Sequence, residues 1–467
     1  MRVLRHVMWA VSALMIWVGC SSGGDKGNVE TASEADAVGD LAQPVDLSRE
    51  PEVSELVGAE QVDAFETSLD LTPAPDPFKI EGAWSAYDAG GVGGLKTEGY
   101  FGMIWDGRYA YHAPCRDTAG FHARALRYDS KGEFKDSGSW EAYDAAGTDG
   151  LTAVGYGGGA SDGRYVYYAP FTNESSRHAE VLRYDSQGGF AEAASWAAHD
   201  AGLVDGLKMM GYVDAVFDGR FVYFSPFGYD PFAHARVLRY DTQGDFKSAE
   251  SWSAYDAGTT SGMNTRGYYG LVMEGDFVYF VPFHDGTEFH GRVLRYNTTG
   301  DFDSESSWSA YDAAQTGGLD NRGYKMAASD GRYVYFVPFR TSTSETHGRV
   351  LRLDSQGEFA DAASWSAYDA GATEGLNSQA YVGAVCAGDH VYFCPYSYGA
   401  VSYHSVMLRL NTTSPFAEAQ SWQAFDAHAI DGLDTKGYKG IVFDGRYVHF
   451  TPYHNGTALR FDTQHTP

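Results

Sequence analysis

GYGGGASDGRYVYYAPFTNESSRHAEVLRYDSQGGFAEAASWAAHD, residues 155–200, decides the fold. It holds four short runs of strand character: Gly155-Tyr156 to Ala160, Arg164 to Ala169, His178 to Tyr184, and Ser195 to Asp200. Asp162-Gly163 between the first two reads as a type I′ hairpin, because Gly accepts positive φ. Asp185-Ser186-Gln187-Gly188 after the third is turn chemistry as well. Working outward, the same unit recurs along the chain. Tryptophans at Trp84, Trp140, Trp196, Trp252, Trp308, Trp365 and Trp422 are spaced 56, 56, 56, 56, 57 and 57 residues apart. Each opens a W-x-A-[YFH]-D-A segment and is followed by GL or GM, GY (AY at Ala380-Tyr381), a hairpin turn, an aromatic strand ending in proline, and L-R-[YLF]-[DN].

Four strands repeated seven times, with no amphipathic helical period beyond residue 78, predict an all-β, seven-bladed β-propeller. The last copy stops at Leu459-Arg460-Phe461-Asp462, one strand short. The missing strand stands at the other end, in residues 78–88, where Trp84-Ser85-Ala86-Tyr87-Asp88 repeats Trp252-Ser253-Ala254-Tyr255-Asp256. Blade 7 is therefore predicted to close with the N-terminal strand, which removes two aggregation-prone sheet edges. The units resemble bacterial extracytoplasmic propellers of the YVTN type, with their "DGRYVY" hairpins and "VLRYDT" strands. That resemblance implies an architecture and no single activity.

The first 77 residues differ in character. Arg2 and Arg5 precede an uncharged apolar run from Val7 to Val18, too short to span a bilayer comfortably. The run ends in Val18-Gly19-Cys20-Ser21. This resembles a bacterial lipoprotein signal, which implies removal of residues 1–19, lipidation of Cys20 and an outer-membrane address on the periplasmic or outer surface. Residues 21–77 carry 14 acidic and two basic side chains, with Phe65 as their only aromatic. They are expected to form a disordered acidic tether over 20–77, holding the 78–467 propeller off the membrane.

The whole chain of 467 residues has a formal charge of −28, of which −18 falls after residue 77. That balance argues against a nucleic-acid partner, because phosphate contacts need Lys and Arg. Four cysteines exclude a disulfide scaffold. Cys115, Cys386 and Cys394 read as buried thiols.

His122, His178, His234, His290, His347 and His404 each precede the leucine of the L-R segment by four residues, and Asn455 takes that place in the last copy. Copies in neighbouring blades would stand about 14 Å apart on strands spaced about 4.8 Å, too far to share a zinc ion bound at about 2 Å. A structural network is predicted instead: His122 with Asp144, His178 with Asp200, His234 with Asp256, joined by the arginine of the L-R segment. The D-x-x-G-[DE] turns lack the ligand spacing of a calcium loop. No metal or cofactor is expected.

If repeated residues are architecture, function lies where the copies differ. The loops between second and third strands vary most, and these loops are where binding residues concentrate on a rigid scaffold. Tyr229, Asp230, Phe232, His284, Asp285, Glu288, Arg340, Tyr398 and Tyr403 are the candidate ligand-binding residues. Aromatic rings beside charged groups suit a glycan or protein ligand. The expected function is a monomeric binding or scaffold lipoprotein whose only membrane contact is its lipid. The alternative is a glycan-active hydrolase or lyase using paired carboxylates. No nucleophile elbow, zinc signature, P-loop or dinucleotide motif supports other chemistries.

Overall fold

A computed structural model describes residues 75–227, 233–399 and 402–466. The lipidation residue Cys20, the signal and nearly all of the acidic stretch lie outside the described residues, as do Tyr229, Asp230 and Phe232.

Seven four-stranded antiparallel sheets form in chain order. Blade 1 comprises Tyr100–Trp105, Tyr109–Pro114, Arg124–Asp129 and Trp140–Asp144, from innermost to outermost strand. In the quoted unit the strands are Tyr156–Ser161, Tyr165–Pro170, Glu180–Asp185 and Trp196–Asp200. The innermost strand of each blade packs against those of both neighbours, which closes a ring of seven. Blade 7 is completed by Trp84–Asp88, which pairs with Thr457–Asp462 in the register Trp84↔Phe461 through Asp88↔Thr457. The closing segment is a strand only from Trp84, and residues before it form 3₁₀ turns at Pro77–Lys79 and Glu81–Ala83.

The repeated aromatics explain the motif. In each blade the Trp indole N–H donates to the carbonyl of a phenylalanine six residues earlier, as Trp140 does to Phe134 at 2.9 Å. Its face stacks on the aromatic of W-x-A-[YFH] in the preceding blade: Tyr143 on Trp196 at 5.3 Å, His199 on Trp252 at 4.9 Å, Phe425 on Trp84 at 5.4 Å. Such pairs contribute about 0.5–1.5 kcal/mol each beyond burial. Each L-R arginine lies over a ring contributed by the next blade junction, and all but Arg409 lie over a ring of their own blade as well. Arg183 sits 4.1 Å from the Tyr165 ring and 4.2 Å from that of Phe246.

The predicted His–Asp pairs are corrected by the structure. His122 Nε2 donates to the carbonyl of Glu98 at 2.8 Å, and its Nδ1 accepts the Arg124 amide at 3.2 Å. His178 and His234 repeat this with Val154 and Glu180, and with Met210 and Arg236. Asp144, Asp200 and Asp256 instead accept amides two residues ahead, from Ala146, Gly202 and Gly258. The aspartates end their strand in an Asx-type turn that satisfies them locally, so the histidines are left to pin the loop entering the innermost strand. The arginines do not join them, because they are engaged in the rings just described. Asn455 does the histidine's work in blade 7: Nδ2 donates to Asp434 O at 3.0 Å and Oδ1 accepts Thr457 N at 3.1 Å. The hairpin turn also differs, since Gly163 takes φ +92° but Arg164 stays outside the positive-φ region that type I′ requires of both residues.

The aspartates of the D-x-x-G turns are occupied by arginines across the hairpin, as Asp129 is by Arg108 at 2.6 Å. Cys115, Cys386 and Cys394 are buried, and Cys386 stands opposite Val391 rather than Cys394.

Candidate functional site: an aromatic collar around the axis

At one end of the ring the chain turns inward after each strand-ending proline. The geometry depends on the glycine of the GY pair. Gly155 holds φ +74°, and a Cβ there would lie 1.7 Å from the carbonyl oxygen of Thr172. A Cβ is excluded at that distance, and the approach lets Gly155 O accept the amides of Phe171 and Thr172; in the sixth blade Ala380 holds the same place at φ +63° and its carbonyl accepts the Tyr396 amide. The residue after the proline is thereby aimed at the axis. In sequence order these residues are Cys115, Phe171, Phe227, Phe283, Phe339, Tyr396 and Tyr453.

Six of the seven are aromatic, and they touch in order. Phe171 and Phe227 are 5.9 Å apart, Phe227 and Phe283 5.8 Å, Phe283 and Phe339 6.2 Å, Phe339 and Tyr396 6.2 Å, Tyr396 and Tyr453 5.6 Å. Phe101 bridges the gap left by Cys115, 6.1 Å from Tyr453 and 5.6 Å from Phe171. The result is a closed aromatic collar.

Inside it stand residues from one position of the innermost strands, directly after the GY tyrosine. Tyr269 reaches across to Phe101 at 6.2 Å. Lys325 places Nζ 4.0 Å from the Phe339 ring, 4.4 Å from Tyr269 and 5.3 Å from Tyr396. Lys439 places Nζ 3.6 Å from Phe101, 3.8 Å from Tyr453 and 4.6 Å from Tyr396. The two lysines are only 6 % and 7 % exposed. Burial pulls the Lys439 amine down to about 7 despite the neighbouring Cys115, and drives Lys325 well below the usual lysine range, with Lys439 and Arg340 adding repulsion. A third cation, Arg177, lies 4.1 Å from the Phe171 ring. Neither the two lysines nor Arg177 was among the sequence candidates. Their signal was present: lysine interrupts a position otherwise filled by Phe101, Gly157, Val213, Tyr269 and Val382.

Over the collar lie the varied loops, several folded into small hairpins by bridges such as His284↔Phe289, Arg340↔Thr346 and Ser397↔Tyr403. They share this face with the loops entering the innermost strands, as Lys96 beside Asp117 at 3.3 Å shows. Of the described candidates, Tyr403 and Arg340 stand at the collar. Tyr403 packs against Tyr396 and Tyr453, and Arg340 lies 4.3 Å from the Phe339 ring. Tyr398 is half-buried on His404, with its hydroxyl donating to Asn377 O. His284 accepts the Gly286 amide on Nδ1 and meets Phe289 edge-on.

The acidic candidates come together on one arginine. Asp285 pairs with Arg292 at 2.5 Å, and Glu288 with the same guanidinium at 3.2 Å. Asp285 also accepts the amides of Thr287 and Glu288 and the Asn264 side chain. Burial pushes its carboxyl up, but those amides and Arg292 outweigh it and hold the group below the usual range. Asp117 repeats the arrangement in blade 1 with Arg124 at 2.6 Å.

No protein-family model matches the chain, nor does any of the curated proteins compared with it. Solved structures do resemble it. YCF48 bound to D1 peptide is 11% identical with a TM-score of 0.50, over 83% of this chain and 97% of that one. Virginiamycin B lyase from Staphylococcus aureus is 12% identical with a TM-score of 0.48, over 81% and 98%. The WD40 propeller domain of Doa1 is 7% identical with a TM-score of 0.47, over 79% and 94%. At these identities a likeness concerns the fold alone, and the strand pairing above carries the seven-bladed assignment.

Proposed function

We propose that this chain is a lipid-anchored, extracytoplasmic binding propeller that presents its collar face to a glycan or protein ligand. Cys20 would carry the anchor and residues 20–77 the tether, with the propeller acting as a monomer. The observation that carries the binding role is the state of the acidic candidates. Asp285 and Glu288 share Arg292, and the amides and Arg292 hold Asp285 ionised against the upward push of burial, which suits recognition by fixed charges and aromatic surface. A hydrolase or lyase would need one carboxyl kept protonated near neutral pH. Half-buried Tyr398 and Tyr403 supply rings whose faces can take up sugar or side-chain surface.

The test is a glycan and protein array probed with the full-length chain in detergent, wild type beside a Tyr398→Ala/Tyr403→Ala variant. Specific capture that weakens at least about tenfold in the variant supports the reading. Capture unaffected by the variant, or turnover of a glycan without stable capture, contradicts it.

A further inference from the structure

We propose that Lys325 and Lys439 form an anion site at the mouth of the collar, built for the carboxylate of an acidic sugar. This inference rests on the collar face being the binding face.

Two lysines at least nine-tenths buried stand side by side on the ring of Tyr396. Lys325 has one hydrogen-bonding contact among the described residues, with the Tyr269 hydroxyl at 3.3 Å, and Lys439 has none. The groups facing Lys439 are Cys115, Phe101, Tyr396, Tyr453 and Lys325; those facing Lys325 are Tyr269, Phe283, Phe339, Tyr396, Arg340 and Lys439. None is a carboxylate. Burying an amine without a counter-ion is costly, and here it happens twice in an acidic chain whose peripheral lysines do find carboxylates, as Lys247 finds Asp149 at 2.5 Å. Cation–π contact recovers only part of that cost. Empty, the site therefore holds its amines towards their neutral form, and an anion would supply the counter-charge that lets them ionise.

The surroundings narrow the class. The walls are aromatic rings, which suit the C–H faces of a pyranose. The amines stand among those rings, with Tyr403 packed beside them on Tyr396 and Tyr453. A polyanion would meet the repulsion of a chain carrying −28. A single carboxylate on a sugar ring meets only the local field. Because burial favours the neutral amines in the empty site, an entering carboxylate draws a proton onto them, so binding is coupled to proton uptake near neutral pH.

The experiment is isothermal titration calorimetry on the full-length chain. The ligands are a galactose trisaccharide in which one unit is galacturonic acid, the neutral galactose trisaccharide, sodium acetate and an acidic peptide. Runs at pH 7.5 use two buffers of different ionisation enthalpy. The expected result is preference for the uronate over the neutral sugar by about 10-fold or more, net proton uptake, and loss of about 10- to 100-fold in Lys439→Met and Lys325→Met. Thermal melts of those variants should be unchanged or higher, since a buried amine is removed. The buffer comparison needs no variant and stands even if one fails to fold. Equal affinity for charged and neutral sugars, no uronate binding, acetate binding as tightly as the trisaccharide, binding of the acidic peptide alone, or unchanged affinity in both variants would each overturn the inference. If a neutral ligand still binds and depends on Tyr398 and Tyr403, the binding face stands while the anion site falls.

Discussion

The guanidinium of Arg409 lies 4.5 Å from the ring of Phe78. In every earlier blade the partner ring belongs to the following copy, as Phe416 does for Arg352 at 4.2 Å. The sixth blade has no following copy with its own phenylalanine, so the N-terminus supplies one. The Phe78 carbonyl also accepts the Trp84 indole N–H, and the Phe78 ring meets Phe461 edge-on. Asp76, just before it, pairs with Arg409 as well. The seam is thus built from the same parts as the other blade junctions.

Phe78→Ala should therefore cost about 3–5 kcal/mol, the range for emptying a buried phenylalanine site. Urea unfolding measures it. A loss under about 1 kcal/mol would mean that the terminal segment does not close the ring.

The histidine pins predict an acid limit. Burial lowers His122, His234 and His404 to about 4, and His290 and His347 to about 3. The folded state binds fewer protons than the unfolded one between these values and about 6.5, so stability is full above pH 6.5 and falls as the pH drops towards 4. Unfolding midpoints measured from pH 7 to 4 should decline steeply. His122→Asn should lie closer to wild type than His122→Leu, because Asn455 already makes the equivalent pair of bonds.

Asp214 has the opposite sign. It sits on an innermost strand where most copies have glycine, and a Cβ on Gly158 would lie 2.3 Å from its Oδ1. Burial pushes its carboxyl up to about 7, against the amides of Ala215, Gly159 and Leu271. Its contribution is most favourable when protonated and declines as pH rises from about 4 to 7. Asp214→Asn should therefore gain on wild type over that window, by about 2 kcal/mol once partial exposure of the side chain is discounted. A pH-independent difference in denaturant midpoint would contradict this.

The Asp285–Arg292 pair should behave as a buried ion pair. Arg292→Ala leaves the carboxylate without its cation and should cost about 3–5 kcal/mol. Asp285→Asn combined with Arg292→Met should cost clearly less. A double-mutant cycle in urea with no coupling would mean that the pair carries no structural weight, and Asp285 would return as a candidate for chemistry.

The ring was legible because its signal is repeated: seven tryptophans at nearly constant spacing need only counting. The partner of His122 was not. Sequence places Asp144 near it, but the nearer amide of Ala146 takes the carboxylate, and backbone carbonyls such as Glu98 O leave no mark on composition. The loops were legible as the variable face, while the centre of that face was not. Lys325 and Lys439 lie within strands, where polar residues on one face are ordinary, and only closure of the ring brings them under a common collar.

The most direct test of the account is where a captured ligand touches the protein. Photo-cross-linking followed by peptide mapping should place the contacts on the hairpins around His284, Tyr398 and Tyr403 and on the collar beneath them. Contacts confined to the opposite end, at the hairpins around Arg108, Arg164 and Arg220, would contradict it.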